Sequence, residues 1–256
     1  WYPLGRRGLM IGDYADRVSM AWLWGKLHAR RGKSVGARRE ALAYLQGSFQ
    51  VLIDGLAQQI RAHGGAIHAS AMVQRILISN HAARGLLVEM AGQPQEHLFD
   101  EIIVTTPSPT ALELAPELPD PYRQQLAGLH YEGAQVLVLA LDRSLIPCYW
   151  LSLADPDIPM VVAVEHTQFV PPTEYGGRHI VYLGRYLPAE HPDFQLDAQA
   201  LLKIYEPYMR RLNPHFDLGW VVGAWLFKDP YGQPIIEPGY SQRIPAHRTP
   251  IENLYL

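Results

Sequence analysis

The chain has 256 residues, of which 48% are hydrophobic and 18% charged, and its formal net charge is −3. These values predict one large domain or two small ones with a buried core, and they exclude fibrous and wholly disordered proteins. Because the chain has no overall positive charge, nucleic acid is not an expected partner. The single cysteine, Cys148, excludes an internal disulfide, and we expect a cytoplasmic protein.

Two amphipathic helices are predicted in the N-terminal part of the chain. The first spans residues 17–31, and the second is capped by Ser48 and ends at Gly64-Gly65. Residues 26–39 carry six lysines and arginines and no acidic residue, which is more typical of a solvated surface than of an anion site. In the second helix, the apolar residues recur at the spacing of one helical face: Phe49, Leu52, Ile53, Leu56, Ala57 and Ile60.

Strands are predicted after the double glycine. They are expected at residues 66–69, 73–78 and 86–90, with polar turns between them. Residues 102–104 are three consecutive apolar residues followed by Thr105-Thr106-Pro107, a pattern that predicts a buried strand ending beside a site.

Beyond Pro107 the predicted strands are longer and more aromatic, and Pro, Asp and Gly turns separate them. This pattern is typical of a mostly antiparallel sheet. A helix is expected at residues 196–212, with Asp197 near its start, and a final strand at residues 253–256. The sheet strands are expected at residues 135–141, 149–153, 160–165, 180–186 and 220–227.

Standard catalytic and cofactor motifs are missing from the chain. Gly5, Gly8 and Gly12 lack the spacing of G-x-G-x-x-G and follow no strand. The eleven histidines include no H-E-x-x-H pair, so no metal site is predicted. Ser241 lacks the second glycine of a nucleophile elbow, and Cys148 is expected to be a small buried hydrophobic residue.

Two stretches in order carry a family resemblance. The first consists of residues 46–52, Gly64-Gly65, Val73, Ile76 and residues 100–107. The second consists of Trp225, Tyr231, Pro234, Gly239-Tyr240 and residues 249–256. Together they resemble the FAD-dependent amine oxidases, protoporphyrinogen oxidases and phytoene desaturases, and the resemblance covers nearly the whole chain.

The resemblance implies an α+β fold, in which an antiparallel sheet with flanking helices forms a substrate domain beside a small β-portion of the FAD domain. Residues 1–60 would form the helical part of the substrate domain. Residues 61–112 would return to the FAD domain, and residues 113–240 would hold the mostly antiparallel sheet. Residues 241–256 would begin the C-terminal segment of the FAD domain.

The same resemblance implies which residues form the site. Val73 would meet the adenine of FAD through its backbone. Trp225, Tyr231, Gln233 and Tyr240 would lie nearest the reacting face of the flavin and contact a small apolar substrate. No catalytic residue is assigned, because the flavin itself abstracts the hydride in such enzymes.

Two departures from the family pattern stand at the ends of the chain. The glycine-rich β-α-β unit that holds the FAD pyrophosphate is missing, and the second flavin motif stops at Leu256. We therefore expect the middle segment of a longer flavoenzyme, inactive and without FAD when alone, whose partners are the missing FAD-binding segments of the same polypeptide. The intact enzyme would oxidise an apolar C–N or C–C site by hydride transfer to flavin.

Three alternatives remain open. The chain could be a non-catalytic module that binds a lipid or isoprenoid. It could be an interaction domain in which Trp22, Trp24 and the basic stretch through Arg39 meet a partner or a membrane surface, although no membrane contact is indicated. It could also be a flavin-dependent relative that isomerises sugar nucleotides.

Overall fold

The computed structural model describes residues 18–30 and 43–256, which form mixed helices and mostly antiparallel sheets and confirm the α+β prediction. The helices are α1 (Met20–Arg30), α2 (Gln50–Ala62), α3 (Ser108–Leu114), α4 (Asp120–Ala127), α5 (Ala198–Leu212) and α6 (Tyr240–Arg243). The strands are β1 (Ala71–Ser79), β2 (Ala82–Met90), β3 (Gln93–Leu98), β4 (Ile102–Ile103), β5 (Tyr131–Leu141), β6 (Trp150–Ser152), β7 (Val162–Glu165), β8 (His179–Leu187), β9 (Val221–Pro234) and β10 (Leu254–Tyr255).

The chain divides into two compact units. The first unit contains the described residues up to Tyr44 together with Tyr131–Pro238, and the second contains Leu45–His130 and Gly239–Leu256. The predicted boundaries after residues 60 and 112 both fall inside the second unit. The chain does not divide at residue 112 because α3 and α4 pack on the same core as β1 and β4. The assignment of either unit to flavin or to substrate stays a prediction.

The first unit is built on a five-stranded antiparallel sheet in the order β6-β7-β8-β5-β9. All five predicted strands of this sheet are present. Helix α5 covers one face, and its N-terminus is fixed by Asp197, whose Oδ1 accepts a hydrogen bond from the Ala200 N–H at 2.8 Å. The core between helix and sheet includes Leu137, Leu139, Leu183, Leu201, Tyr205, Met209 and Phe216, all fully buried.

The second unit has two small sheets. The antiparallel sheet has the order β1-β2-β3, and β4 pairs with β10 in parallel, Ile102 opposite Leu254 and Ile103 opposite Tyr255. Ile102 and Leu254 are buried in this unit's core, but Ile103 is 72% exposed, so the prediction of a fully buried strand is wrong at that residue. The predicted strand at residues 66–69 is absent, and β3, α3 and α4 were not predicted.

Helix α2 is present as predicted but is not packed. Its N-cap residue is Phe49 rather than Ser48, although Ser48 Oγ accepts a hydrogen bond from the Gln50 N–H at 3.2 Å. None of its 13 residues is buried. The large apolar side chains of its predicted face are between 46% and 57% exposed: Phe49, Leu52, Ile53, Leu56 and Ile60.

Candidate functional site

The predicted site residues are divided between the two units. Trp225, Tyr231 and Gln233 lie on β9 in the first unit, whereas Val73 lies on β1 and Tyr240 begins α6 in the second. The structure therefore brings three of the five together on one strand.

Along β9, the predicted residues have different surroundings. Trp225 stands opposite Val138 in the regular part of the β5–β9 ladder. Tyr231 lies in a bulge of β9, and its ring meets the ring of Tyr131 edge-on, with centroids 5.6 Å apart. Gln233 stands opposite Glu132 beyond the bulge.

The face of the sheet away from α5 forms a continuous apolar surface, which we call the open face. Residues directly opposite one another in a ladder point to the same face, so the register identifies the side chains of this surface. One row runs through Trp150, Val164, Tyr182, Val138 and Trp225. The neighbouring row runs through Ser152, Val162, Gly184, Val136 and Phe227.

The aromatic residues of the open face are unusually accessible to solvent. Their exposed fractions lie between 36% and 62% for Trp150, Tyr182, Trp225 and Phe227. Neither row contains a charged side chain. A contiguous exposed apolar surface of this kind is typical of a ligand or protein binding site.

A hydrogen-bonded aromatic cluster adjoins Tyr182. The His166 Nε2 lies 2.7 Å from the Tyr175 hydroxyl oxygen, and the His166 ring packs edge-on against Tyr44 and Tyr182, with centroid distances of 4.9 Å and 6.2 Å. Burial lowers the pKa of His166 and raises the pKa of Tyr182. Burial is also the largest cause that raises the pKa of Tyr175 to about 12. These groups are therefore neutral near pH 7, so the cluster adds no charge to the site.

One buried carboxylate lies behind the sheet rather than on the open face. Glu165 is fully buried, and its Oε2 accepts hydrogen bonds from the Leu145 and Ile146 N–H groups at 2.9 Å and 2.7 Å. Its Oε1 lies 3.1 Å from the His179 Nδ1 and accepts a hydrogen bond from the Gln168 Nε2 at 3.3 Å. Because all these partners are structural, Glu165 fixes the loop after β5 and does not face the candidate site.

The surroundings of Val73 suit a contact through its backbone. Val73 pairs with Val88 on β2, while β1 is an edge strand of its sheet, so its other side has no ladder partner in the described chain. The register also shifts between Val73 and Arg75, as in a β-bulge. An edge strand presents free N–H and C=O groups, which are the groups that a backbone contact with an adenine requires.

Among residues 18–30 and 43–256, no cluster of metal-binding side chains is found.

The sequence model of a family described as flavin containing amine oxidoreductase matches residues 7–256. The chain belongs to the flavin-containing amine oxidoreductase family. This membership confirms the predicted resemblance and implies a flavin cofactor. No protein of curated function matches the chain.

Solved structures share the fold of this family member. An oxidoreductase from Methanosarcina mazei is 22% identical with a TM-score of 0.62 over 82% of this chain and 48% of its own. A protein assigned as protoporphyrinogen oxidase from Exiguobacterium sp. 255-15 is 12% identical with a TM-score of 0.59, and the match covers 77% of this chain and 42% of its own. A reduced UDP-galactopyranose mutase is 12% identical with a TM-score of 0.57, and the match covers 77% of this chain and 42% of the mutase chain. The chain thus spans about half the length of these structures.

Neither a membrane-spanning helix nor most of the basic stretch is found among the described residues. No helix in the described part of this family member is both long and apolar enough to cross a membrane. Most of the basic stretch, residues 31–39, lies outside the described residues, as do Gly5, Gly8 and Gly12.

Sequence reasoning missed several residues of the open face, including Trp150, Tyr182, Gly184 and Phe227. A signal was available, because Trp225 and Phe227 on β9 are two residues apart and Tyr182 and Tyr186 on β8 are four apart. Both spacings place side chains on one face of a strand. The strands are apolar on both faces, however, so the pattern does not indicate which face stays exposed.

Proposed function

We propose that the chain supplies the substrate-binding sheet and part of the FAD-binding structure of an FAD-dependent oxidoreductase. The intact enzyme would oxidise an apolar C–N or C–C site. The observation that carries this proposal is the open face, an uncharged aromatic surface in a member of a flavin-dependent family. When bound, FAD supplies the hydride acceptor.

On the substrate side, the residues of the open face would bind and orient the substrate. Trp225 lies on the open face itself, and Tyr231 and Gln233 follow it on β9. Large aromatic side chains bury much apolar area and exclude water from the surface that they cover. With no charged group in either row, the face favours a substrate that is neutral where it touches the sheet.

On the cofactor side, we assign Val73 to the adenine of FAD. The free edge of β1 supports this role, because a backbone donor and acceptor match the edge of an adenine ring. Tyr240, in the second unit, is assigned to the substrate on the family resemblance alone.

The proposed partner is the set of FAD-binding segments that complete the second unit. Helix α2 buries none of its residues, although its sequence has a strong apolar face. Parallel strands normally have both faces covered, whereas Ile103 of the β4–β10 pair is 72% exposed. Both surfaces are therefore suited to contact with further protein structure.

The experiment is to purify the complete gene product that contains residues 1–256 and record its visible spectrum. We expect flavin absorption bands, and we expect an apolar amine or alkene substrate to bleach them in the absence of oxygen. The 256-residue chain alone is the control and should bind FAD weakly. A complete gene product that stays colourless after addition of FAD would contradict the proposal.

The open face also supports a second function, a non-catalytic module that holds an apolar ligand. This function predicts ligand binding by a protein that never binds flavin, so the visible spectrum of the complete gene product distinguishes the two functions. A sugar-nucleotide mutase is less well supported, because a nucleoside diphosphate is doubly charged and the two rows contain no cation.

A further inference from the structure

His166 and Tyr175 form a hydrogen-bonded pair between β7 and β8. His166 directly follows β7, and Tyr175 lies at the end of a 3₁₀ turn in the connection to β8. Gly176 and Gly177 then take left-handed φ angles of 62° and 79°, which turn the chain into β8. The Tyr175 hydroxyl oxygen thereby comes within 2.7 Å of the His166 Nε2. Backbone turns next to both residues therefore fix the geometry of the pair.

The imidazole of His166 has almost no contact with water. The residue is 6% exposed, and its ring packs edge-on against the rings of Tyr44, Tyr175 and Tyr182. An apolar ring would fill such an aromatic cluster without the cost of burying a polar group. Histidine adds a neutral nitrogen base, because burial lowers its pKa. The group in direct contact with the Nε2 of this base is the phenol of Tyr175.

The Tyr175 hydroxyl has a second hydrogen-bond partner, Tyr44. In the tautomer of His166 whose Nε2 carries no proton, the Tyr175 O–H donates to that nitrogen, and the Tyr44 O–H donates to the Tyr175 oxygen. Burial is the largest cause that raises the pKa of Tyr175 to about 12, and the hydrogen bond with Tyr44 is the next. The phenol therefore keeps its proton near pH 7. It becomes a strong acid only if an electron is removed from its ring.

Aromatic rings connect this pair to the open face. The centroid of the His166 ring lies 5.4 Å from that of Tyr175 and 6.2 Å from that of Tyr182. Tyr182 is 36% exposed and belongs to the row of the open face that also contains Trp150 and Trp225. Tyrosine and tryptophan have the most readily oxidised aromatic side chains. An oxidant that meets Tyr182 is therefore separated from Tyr175 only by neighbouring aromatic rings.

We propose that Tyr175 and His166 form a redox-active pair, which reduces a one-electron oxidant at the open face, either a metal complex or an organic radical. One electron leaves the Tyr175 ring and passes by way of Tyr182 to the oxidant, which is reduced by one electron. The O–H bond of Tyr175 breaks, and its proton forms a bond with the His166 Nε2. A neutral tyrosyl radical and an imidazolium ion result.

Return of one electron to Tyr175 reverses the step, because the proton then moves back from His166 to the phenol oxygen. The pair needs no flavin for either direction. The inference therefore goes beyond the proposed function and does not rest on it.

The test uses the 256-residue chain and photogenerated tris(bipyridine)ruthenium(III), a one-electron oxidant, with electron paramagnetic resonance of rapidly frozen samples. In the wild type we expect a neutral tyrosyl radical that persists after the radicals of exposed tyrosines have decayed. Tyr175→Phe should abolish this long-lived signal. Tyr186→Phe is the matched control and should leave it unchanged, because Tyr186 is a half-buried tyrosine of the same strand as Tyr182 but stands opposite Ala134.

A second variant separates proton acceptance from packing. His166→Gln should shorten the lifetime of the radical at least about tenfold, because glutamine accepts a hydrogen bond but does not hold the proton. If this variant does not fold, isotopic labelling of the histidine nitrogens in the wild type tests the same point, and we expect the radical to couple to a labelled nitrogen.

Three results would overturn the inference: an unchanged long-lived signal in Tyr175→Phe, a wild-type lifetime in His166→Gln, or a radical without coupling to a histidine nitrogen. Each of them would leave the proposed oxidoreductase standing, since no flavin takes part in the experiment. Conversely, a colourless complete gene product that still forms the radical would contradict the oxidoreductase and retain the redox-active pair.

Discussion

The two units differ in the kind of surface that they leave exposed. In the first unit, α5 covers one side of the sheet, and most of the exposed large apolar side chains of the sheet strands lie on the open face. In the second, exposed large apolar side chains lie on α2, which buries no residue, on the short parallel pair β4–β10, and on or next to the small antiparallel sheet, at Met72, Leu98 and Phe99. A neutral face on a well-packed layer suits a small apolar ligand, whereas an unpacked helix and an incompletely covered two-residue parallel pair suit contact with more protein. We therefore assign ligand binding to the first unit and contact with further protein structure to the second, as part of the proposed function.

The largest expected effect tests whether the first unit is a well-packed platform. Phe216 is fully buried and packs edge-on against Trp220, whereas Phe227 is 62% exposed on the open face. Phe216→Ala should lower the free energy of unfolding by about 3–5 kcal/mol, because it leaves a cavity in the core. Phe227→Ala is the matched control and should change it by less than about 1 kcal/mol. Urea denaturation measures both, and similar losses for the two variants would contradict the assignment of the two faces.

The second effect concerns the loop that Glu165 fixes at the edge of the platform. Glu165→Ala removes the acceptor of the buried Leu145 and Ile146 N–H groups. We expect the free energy of unfolding to fall by about 2–4 kcal/mol, because the two donors lose their partner without access to water. The exposed Glu190→Ala variant is the control and should behave as wild type in the same urea titration.

The third effect tests the cofactor side of the second unit. If Val73 contacts FAD through its backbone, Val73→Ala should preserve FAD affinity in the complete gene product. Val73→Pro removes the N–H group and should weaken FAD binding at least about tenfold, while an edge strand tolerates the proline itself. Flavin released during equilibrium dialysis gives the affinity. A loss in Val73→Ala as large as that in Val73→Pro would favour a side-chain contact instead.

A smaller effect is expected from the aromatic cluster beside Tyr182. Because burial lowers the pKa of His166, the unfolded chain binds its proton more readily than the folded chain. The stability present above about pH 6.5 is therefore lost as the pH falls through the lower folded-state pKa. We expect His166→Phe to lose less stability than wild type between about pH 8 and pH 5, measured by urea midpoints. The exposed Thr173→Ala variant should retain the wild-type difference.

The smallest expected change in stability tests whether further protein structure covers α2. Leu56 is exposed, so Leu56→Gln should change the free energy of unfolding of the 256-residue chain by no more than about 0.5 kcal/mol. In the complete gene product, the same change should destabilise the protein by more than this, because the side chain would there be covered. Equal effects in the two proteins would mean that no further structure packs on α2.

The parts of the fold that follow from periodicity could be predicted from the sequence. The five sheet strands and α5 lie close to their predicted positions, because their apolar residues alternate or recur at helical spacing and Asp197 caps the helix. The exposed face could not be predicted, because β5 carries Val136 and Val138 on one face and Leu137 and Leu139 on the other. Only packing against α5 distinguishes them.

Proline accounts for most of the missed elements. Gly92 and Pro94 indicate a turn, but β3 is an edge strand, where a missing N–H group is tolerated. Similarly, Pro107 precedes α3 and Pro109 lies in its first turn, where the N–H group has no helical partner in any case. In both places the position of the proline within the element decides its effect, and the sequence alone does not give that position.

Strand β9 carries Trp225 and Phe227, and it is also an edge strand of its sheet. A long edge that has no ladder partner in the described chain, next to an apolar surface, ordinarily favours pairing with a strand from a second copy of the chain. At its C-terminal end, however, Pro230–Gly232 stand opposite the single residue Gly133, and this bulge follows the charged pair Lys228 and Asp229. The regular part of β9 therefore exposes an apolar surface, while the bulge and the charged residues at its C-terminal end disfavour in-register pairing with a strand of another copy.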